Sequence, residues 1–408
     1  MTARGGSAEP AGSPERSLPD PRALAAHYTR FRVGERLLLT GHSHQAWPDV
    51  ALEGQQRAWL DAAEHADDKW ERAFAVADRV RSGWRRLLGD SAAGEVALGQ
   101  STLDMVGRLF SALPLLARPR VVTTDGEFHT LRRLVDRLGE EGVEVVRVPA
   151  RPVATLGERL AARVDDRTAV AAISSVLYET AEIVPHLEAV ARACAAHGAE
   201  LLVDAYHHLN VVPFDVRALG LERAFVTGGG YKYCQLGEGN AFLRFPADTA
   251  LRPILTGWFA EFGTKERRPE DTRVAYGPGP ARFAGATYDP VSHYRAAAVF
   301  DFFERAGLTP ETLRAVSQRQ MRLLVELCGE WPIPYRVQFP RPRAELDALA
   351  GFLALRTPLA STLVRLLKEH GVLADHRGDV LRLGPAPYVR DDQLAEAVTR
   401  LATLLAEG

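Results

Sequence analysis

The 408-residue sequence predicts an α/β fold, a large domain around a mostly parallel sheet followed by a smaller α+β domain. Three observations predict it. From about Glu95 short apolar runs alternate with amphipathic segments, and those runs are apolar nearly throughout rather than at every second residue. After about Pro290 this rhythm gives way to two long helical patterns. A strand that is apolar at successive positions is buried on both faces, the environment of a parallel sheet sandwiched by helices.

The elements follow in order. "EVAL" (Glu95–Leu98) reads as the first strand, and "STLDMVGRLFSALPLL" (Ser101–Leu116) as a helix opened by a Ser/Thr N-cap. "RVVTTD" (Arg120–Asp125) is a strand and "HTLRRLVDRLGEEG" a helix closed by glycine. "VEVVRVP", "TAVAAISSV", "ELLVDA" and "RAFVTGG" continue the strands, with the helix "HLEAVARACAAHG" (His186–Gly198) among them. After Pro290 come the helices "HYRAAAVFDFFERAG" and "TPETLRAVSQRQMRLLVELCGEW". The strands "YRVQF", "GFLALR" and "DVLRLG" and the helices "LASTLVRLLKEHG" and "DDQLAEAVTRLATLLAEG" complete the chain. Helices around Pro48–Leu88 are expected to cover the small domain or a partner subunit. The expected division is a disordered Pro/Gly/Ser-rich lead over 1–20, a large domain over 21–290 and a small domain over 291–408.

Composition narrows the class. The 46% hydrophobic and 25% charged fractions are those of a soluble globular protein. A net charge of −2 argues against nucleic acid or an anionic membrane as the main partner. Three cysteines, Cys194, Cys234 and Cys328, form neither a disulfide framework nor a Cys-x-x-Cys motif, which suits a reducing cytoplasm. The first residues lack the apolar core of a signal peptide, and no run approaches the roughly 18 apolar residues of a membrane span.

Ligands of open α/β sheets bind where the strands end at their carboxyl termini. After the first strand stand Ser101 and Thr102, whose hydroxyls and free N–H groups at a helix N-terminus make an anion cup. After the second stands Phe128, a stacking face. "ELLV" runs into Asp204, with His207 three residues on, and "RAFVTGGG" into Tyr231, Lys232 and Tyr233. Taken singly each is ordinary: an N-cap, a turn aspartate, a surface lysine. His207 and His208 form no metal pair, because neighbouring side chains point apart and no third ligand is spaced for zinc. "GEGNAF" lacks nucleotide-fingerprint spacing. Together, on successive strand ends, the features match the needs of pyridoxal 5'-phosphate: an amine for covalent attachment, a carboxylate for the ring nitrogen, an aromatic face and a phosphate cup.

The same residues carry a family resemblance. "DAYHHLNVV" (Asp204–Val212) and "GGYKYCQ" (Gly229–Gln235) resemble the Asp-x-Ala-His and "SYKYLN" stretches of the kynureninases, fold-type I pyridoxal-phosphate enzymes of the class V aminotransferase group. "GHSHQAWP" (Gly41–Pro48) is similar to their "GNSLGLQP", "EFHTL" to "NFPTD", "LTGWFAE" (Leu255–Glu261) to "L-x-GWFGH", and "RGDVLRLGPAPY" (Arg377–Tyr388) to their late arginine motif. The resemblance runs from about residue 36 to the C-terminus. It implies a seven-stranded sheet with a small C-terminal domain, and hydrolytic Cβ–Cγ cleavage of a kynurenine-type amino acid to alanine and an aromatic acid. It implies Lys232 as the Schiff-base lysine, Asp204 as the partner of the pyridine nitrogen with His207 nearby, Phe128 as the stacking ring and Ser101 with Thr102 as the phosphate cup. Tyr231 would bind phosphate and act as a catalytic acid; Arg382 would grip the substrate carboxylate, with Ser43 and His44 at the substrate mouth. Trp258 and Thr287 would reach the phosphate from the other subunit of a homodimer.

Departures cluster on the substrate side. Leu177 replaces the asparagine of "VNY", Glu261 the histidine after "GWFG", "ATYDP" (Ala286–Pro290) stands for "ISNPP", and His42 and His44 enter "GNSLG". Transamination, β-elimination, epimerisation or cyclisation on the same cofactor therefore stay open, as does a non-catalytic α/β protein.

Overall fold

The computed structural model describes residues 18–90, 94–262, 272–329 and 343–407. Nearly all of the expected N-terminal lead, and the expected strand "YRVQF" (335–339), lie outside the described residues.

Helix α1 (Pro21–Ala25) and strand β1 (Leu37–Leu38) precede the long helices α2 (Val50–His65) and α3 (Lys69–Leu87). Then come β2 (Gly94–Gly99), α4 (Thr102–Ala112), β3 (Arg120–Thr124), α5 (His129–Glu140), β4 (Glu144–Val148), α6 (Leu156–Ala161) and β5 (Thr168–Ser174). Helix α7 (Leu187–His197) leads to β6 (Glu200–Asp204), β7 (Phe225–Gly229) and β8 (Ala241–Pro246). Helices α8 (Val291–Arg305) and α9 (Pro310–Gly329) are followed by β9 (Leu353–Arg356), α10 (Ala360–Glu369), β10 (Val372–Leu373), β11 (Asp375–Arg377), β12 (Val380–Leu383) and α11 (Asp391–Glu407).

The large sheet has seven strands in the order β2-β8-β7-β6-β5-β3-β4. It is parallel except for β8, which runs antiparallel to both neighbours. All seven residues of β5 are buried, as a strand covered on both faces requires. The α/β class and mostly parallel sheet expected from the sequence are those observed.

Two expectations need correction. Strand β8 is not among the expected strands, yet Ala241–Pro246 is buried at every position. Its arginine hid it. Arg244 is fully buried because Asp90 accepts from its Nε at 2.8 Å, and the carbonyls of Glu222 and Ala224 accept from Nη1 at 2.7 and 2.9 Å. Helix α4 ends at Ala112, not Leu116: Leu113 precedes Pro114 and is forced into extended backbone, φ −74° and ψ 144°.

After α9 a three-stranded antiparallel sheet, β11-β12-β9, carries Asp375 opposite Arg382. The N-terminal segment reaches it: β1 pairs parallel with β10, and Thr40 bridges to Gly384. That pairing sets residues 41–44 beside the C-terminal sheet. Helices α2 and α3 pack on α8. Gly54 lets the α2 backbone approach that of Tyr294, where an added Cβ would lie 2.6 Å from the carbonyl oxygen. No helix among the described residues is long and apolar enough to cross a membrane.

Candidate active site

Adjacent parallel strands bring their carboxyl ends to one place. Asp204, the last residue of β6, stands in register with Ser174 on β5 and Thr227 on β7. It begins the turn into Tyr206, whose N–H donates to Asp204 Oδ1 at 2.9 Å. The β7 strand ends in Gly228-Gly229 and runs on into Gly230, and Gly229 and Gly230 make room for the protein's own side chains. A Cβ at Gly229 would lie 2.5 Å from Tyr206 Oη, and one at Gly230 2.6 Å from Leu236 Cβ.

Ser101, Thr102, Phe128, Asp204 and Tyr231 line one cavity of about 360 Å³ together with Tyr206. Ser101 caps α4, its Oγ accepting from Asp104 N at 3.2 Å. The cavity thus has a helix N-terminus and hydroxyls at one side and a half-buried carboxylate at another. Lys232 is buried and stands just off this cavity, its Nζ 4.8 Å from the Tyr206 ring centre, 5.2 Å from that of Phe128 and 5.7 Å from that of Tyr231. The amine is turned toward His207 Nε2. His207 is buried too, and its Nδ1 has no partner among the described residues.

Electrostatics follow from burial. Desolvation, opposed by Asp204 and reinforced by Arg382 and Arg377, lowers the Lys232 ammonium below its ordinary value. Desolvation raises the Asp204 carboxyl against the Tyr206 N–H and the Lys232 charge. His207 is held neutral by burial and by Lys232. Burial also raises the Tyr231 phenol, which keeps its proton. The site therefore offers an amine whose uncharged form is favoured, beside a proton-holding phenol.

Other sequence-derived residues lie around this centre. His44 stacks on Tyr231, ring centres 4.8 Å apart and 17° between planes. The Ser43 hydroxyl donates to Thr40 O at 3.0 Å, which closes the turn. Arg382 is buried; its Nε and Nη2 donate to Asp375 Oδ1 and Oδ2 at 2.8 and 2.5 Å, and Nη1 to Tyr178 O at 2.5 Å. Trp258 and Thr287 stand apart from the cavity of their own chain, where Trp258 Nε1 donates to Thr287 Oγ1 at 3.3 Å. His207 and His208 diverge, the latter packing on Phe214, and no group of three metal-ligating side chains exists among the described residues. Sequence reasoning missed Tyr206, Glu127 and Asp375. Tyr206 had a signal, an aromatic two residues beyond a strand-end aspartate. Asp375 had none in the local pattern: its pairing with Arg382, seven residues on, depends on the β11–β12 register, and His42 is 333 residues away.

The chain shares its fold with known pyridoxal-phosphate proteins. A C-DES mutant with glycine covalently linked to its PLP cofactor superposes with a TM-score of 0.80 at 16% identity, over 94% of this chain and 99% of that one. Apo cysteine desulfurase from Thermococcus onnurineus NA1 gives 0.78 at 16%, over 96% and 100%. Cysteine desulfurase CsdA of Escherichia coli gives 0.77 at 17%, over 95% and 100%. A curated relative, the uncharacterized aminotransferase YcbU of Bacillus subtilis (strain 168), is 24% identical over 356 residues, 84% of this chain and 88% of that protein. Fold and relatives point to one class: the chain has the fold of a pyridoxal-phosphate-linked protein and is similar in sequence to an aminotransferase. Within that class, residues 313–401 match the family model of the Kynureninase C-terminal domain.

Proposed function

We propose that the protein is a pyridoxal-phosphate-dependent enzyme acting on an amino acid, and that its reaction is hydrolytic Cβ–Cγ cleavage of a kynurenine-type substrate. One observation carries the cofactor: a buried lysine, lowered by desolvation, near a half-buried strand-end carboxylate and an aromatic-walled cavity with a helix N-terminus. These residues fit the group. Lys232 would hold it covalently, Asp204 its ring nitrogen, Ser101 and Thr102 its phosphate with Tyr231, and Phe128 its ring face. When bound, the cofactor supplies an electron sink next to the substrate α-carbon.

The chain's own groups then have separable tasks. Lys232 Nζ, uncharged, takes the α-proton. Arg382 holds the substrate α-carboxylate with the N–H groups its present partners leave free; three of five are engaged. Tyr231 Oη holds the proton delivered to the β-carbon as its bond to the γ-carbon breaks. Water adds at the γ-carbonyl, so that substrate and one water give alanine and an aromatic carboxylic acid. The kynureninase match over 313–401, which includes Arg382, supports this outcome over its alternatives.

Trp258, more than half exposed, and Thr287 are assigned to the neighbouring site of a homodimer. A cytoplasmic location accords with three free, buried thiols.

The purified protein loaded with pyridoxal phosphate should be yellow. Borohydride reduction and peptide mapping should place the cofactor on Lys232, and Lys232→Ala should abolish the link. A colourless protein that takes up no cofactor would falsify the reading. With kynurenine or 3-hydroxykynurenine, stoichiometric alanine and the anthranilate-type acid support hydrolysis. An oxo acid in their place indicates transamination, to which the aminotransferase relative points.

A further inference from the structure

We infer that His42 is a positioning residue for substrate binding, acting through Asp375 to fix the guanidinium of Arg382. The inference rests on the reading of Arg382 as the α-carboxylate partner. It gives a task to a histidine that departs from the resembling family's asparagine.

His42 is fully buried, and its Nε2 lies 2.7 Å from Asp375 Oδ1. That oxygen also accepts from Arg382 Nε, while Oδ2 accepts from Nη2. A carboxylate only accepts, so Nε2 carries the hydrogen and Nδ1 is bare. The ring cannot turn away. It packs on Phe352 at 4.5 Å, the same ring over which Arg382 Cζ lies at 5.4 Å. On its other side Gly384 leaves the space, since a Cβ there would sit 2.2 Å from His42 Nδ1.

Asp375 and Arg382 are cross-strand partners on β11 and β12, and Tyr178 O holds the far side of the guanidinium. Burial alone would raise the Asp375 carboxyl. The hydrogen bonds from His42 and Arg382, together with the Arg382 charge, outweigh it and hold Asp375 ionised well below the usual carboxylate range. The triad is thus imidazole, carboxylate and guanidinium in line, with Arg382 close enough to lower the Lys232 ammonium. Without His42, Asp375 keeps its two bonds to Arg382 but loses the Oδ1 donor that anchors it independently of Arg382, so the ion pair is less firmly placed. The ligand class is any amino acid with a free α-carboxylate.

The test is equilibrium binding to the pyridoxal-phosphate-loaded protein, by calorimetry, of L-alanine and of L-alaninamide, which lacks the carboxylate. His42→Ala should weaken L-alanine by about tenfold and leave L-alaninamide unchanged. His42→Gln, whose amide can donate from the position of Nε2, should restore most of the loss. Unchanged L-alanine binding in His42→Ala overturns the inference, and so does an equal loss for both ligands, which would mark a structural role. Arg382→Gln separates the two levels. If Arg382→Gln weakens L-alanine no more than L-alaninamide, the assignment of Arg382 is wrong; if it weakens L-alanine selectively and His42→Ala does not, only the positioning role falls. Should His42→Ala not fold, the same comparison on His42→Gln and His42→Asn decides, since Asn cannot reach Oδ1 as Gln can.

Discussion

Glu127 is a buried carboxyl one residue before Phe128, where the resembling family has asparagine. Its Oε1 accepts from Thr124 Oγ1 at 2.6 Å and Ser174 N at 3.2 Å, and its Oε2 from Ser174 Oγ at 2.6 Å. Burial outweighs those bonds and, with a contribution from Asp204, pushes it from 4.5 up to about 7. The folded state then holds a proton that the unfolded chain has released, so this carboxyl's contribution is fully present below pH 4.5 and is lost as pH rises through about 7. The loss is on the order of 3 kcal/mol. Glu127→Gln does not titrate, so its urea stability relative to the parent should improve by that order between about pH 5 and about pH 8. A pH-independent difference would show that Glu127 stays ionised in the fold. The neighbouring residue-scale case is Gly384→Ala, whose Cβ meets His42 Nδ1 at 2.2 Å. It should cost about 1–3 kcal/mol, and His42→Ala in the same chain should recover part of it.

At the scale of elements, the contact between α2 and α8 is set by one small residue. Gly54 to alanine gains roughly 1 kcal/mol of helix propensity. The new methyl would nevertheless meet Tyr294 O at 2.6 Å and Arg295 Cα at 3.0 Å. Backbone of a packed helix cannot step aside as a flexible side chain can, so the clash wins. Gly54→Ala should lower stability by about 1–3 kcal/mol in urea unfolding; a stabilised variant would mean that α2 shifts freely on α8. Elements were legible wherever the local pattern decided them. Helix α7 ends at Gly198, left-handed at φ 61°, as its glycine announced. Helix α4 stopped early because Pro114 constrains Leu113, a sequence signal that the apolar run obscured. Strand β8 was missed because a buried arginine reads as a surface residue until Asp90 is seen beside it.

For the whole molecule, that pair ties the segment after α3 to the large sheet. Arg244 and Asp90 are both buried. Asp90→Ala leaves the guanidinium without its carboxylate and should cost about 3–5 kcal/mol. Replacing both, Asp90→Ala with Arg244→Met, should recover most of that, because no charge then remains buried. Equal losses in the single and double variants would show the pair to be a spacer rather than a compensated charge.

The sequence by itself determined the fold class, most of the strands and which residues stand at their ends. Each of these is written in neighbouring residues: continuous apolar runs, a glycine stop, an aspartate or a lysine just past a strand. Tertiary structure alone decided the direction of β8, the ring contacts around Lys232, and the line from His42 through Asp375 to Arg382, whose first two members lie 333 residues apart. The reason is physical. A hydrogen bond or a desolvation penalty depends on which groups the fold brings within a few ångströms, and periodicity carries no record of that distance.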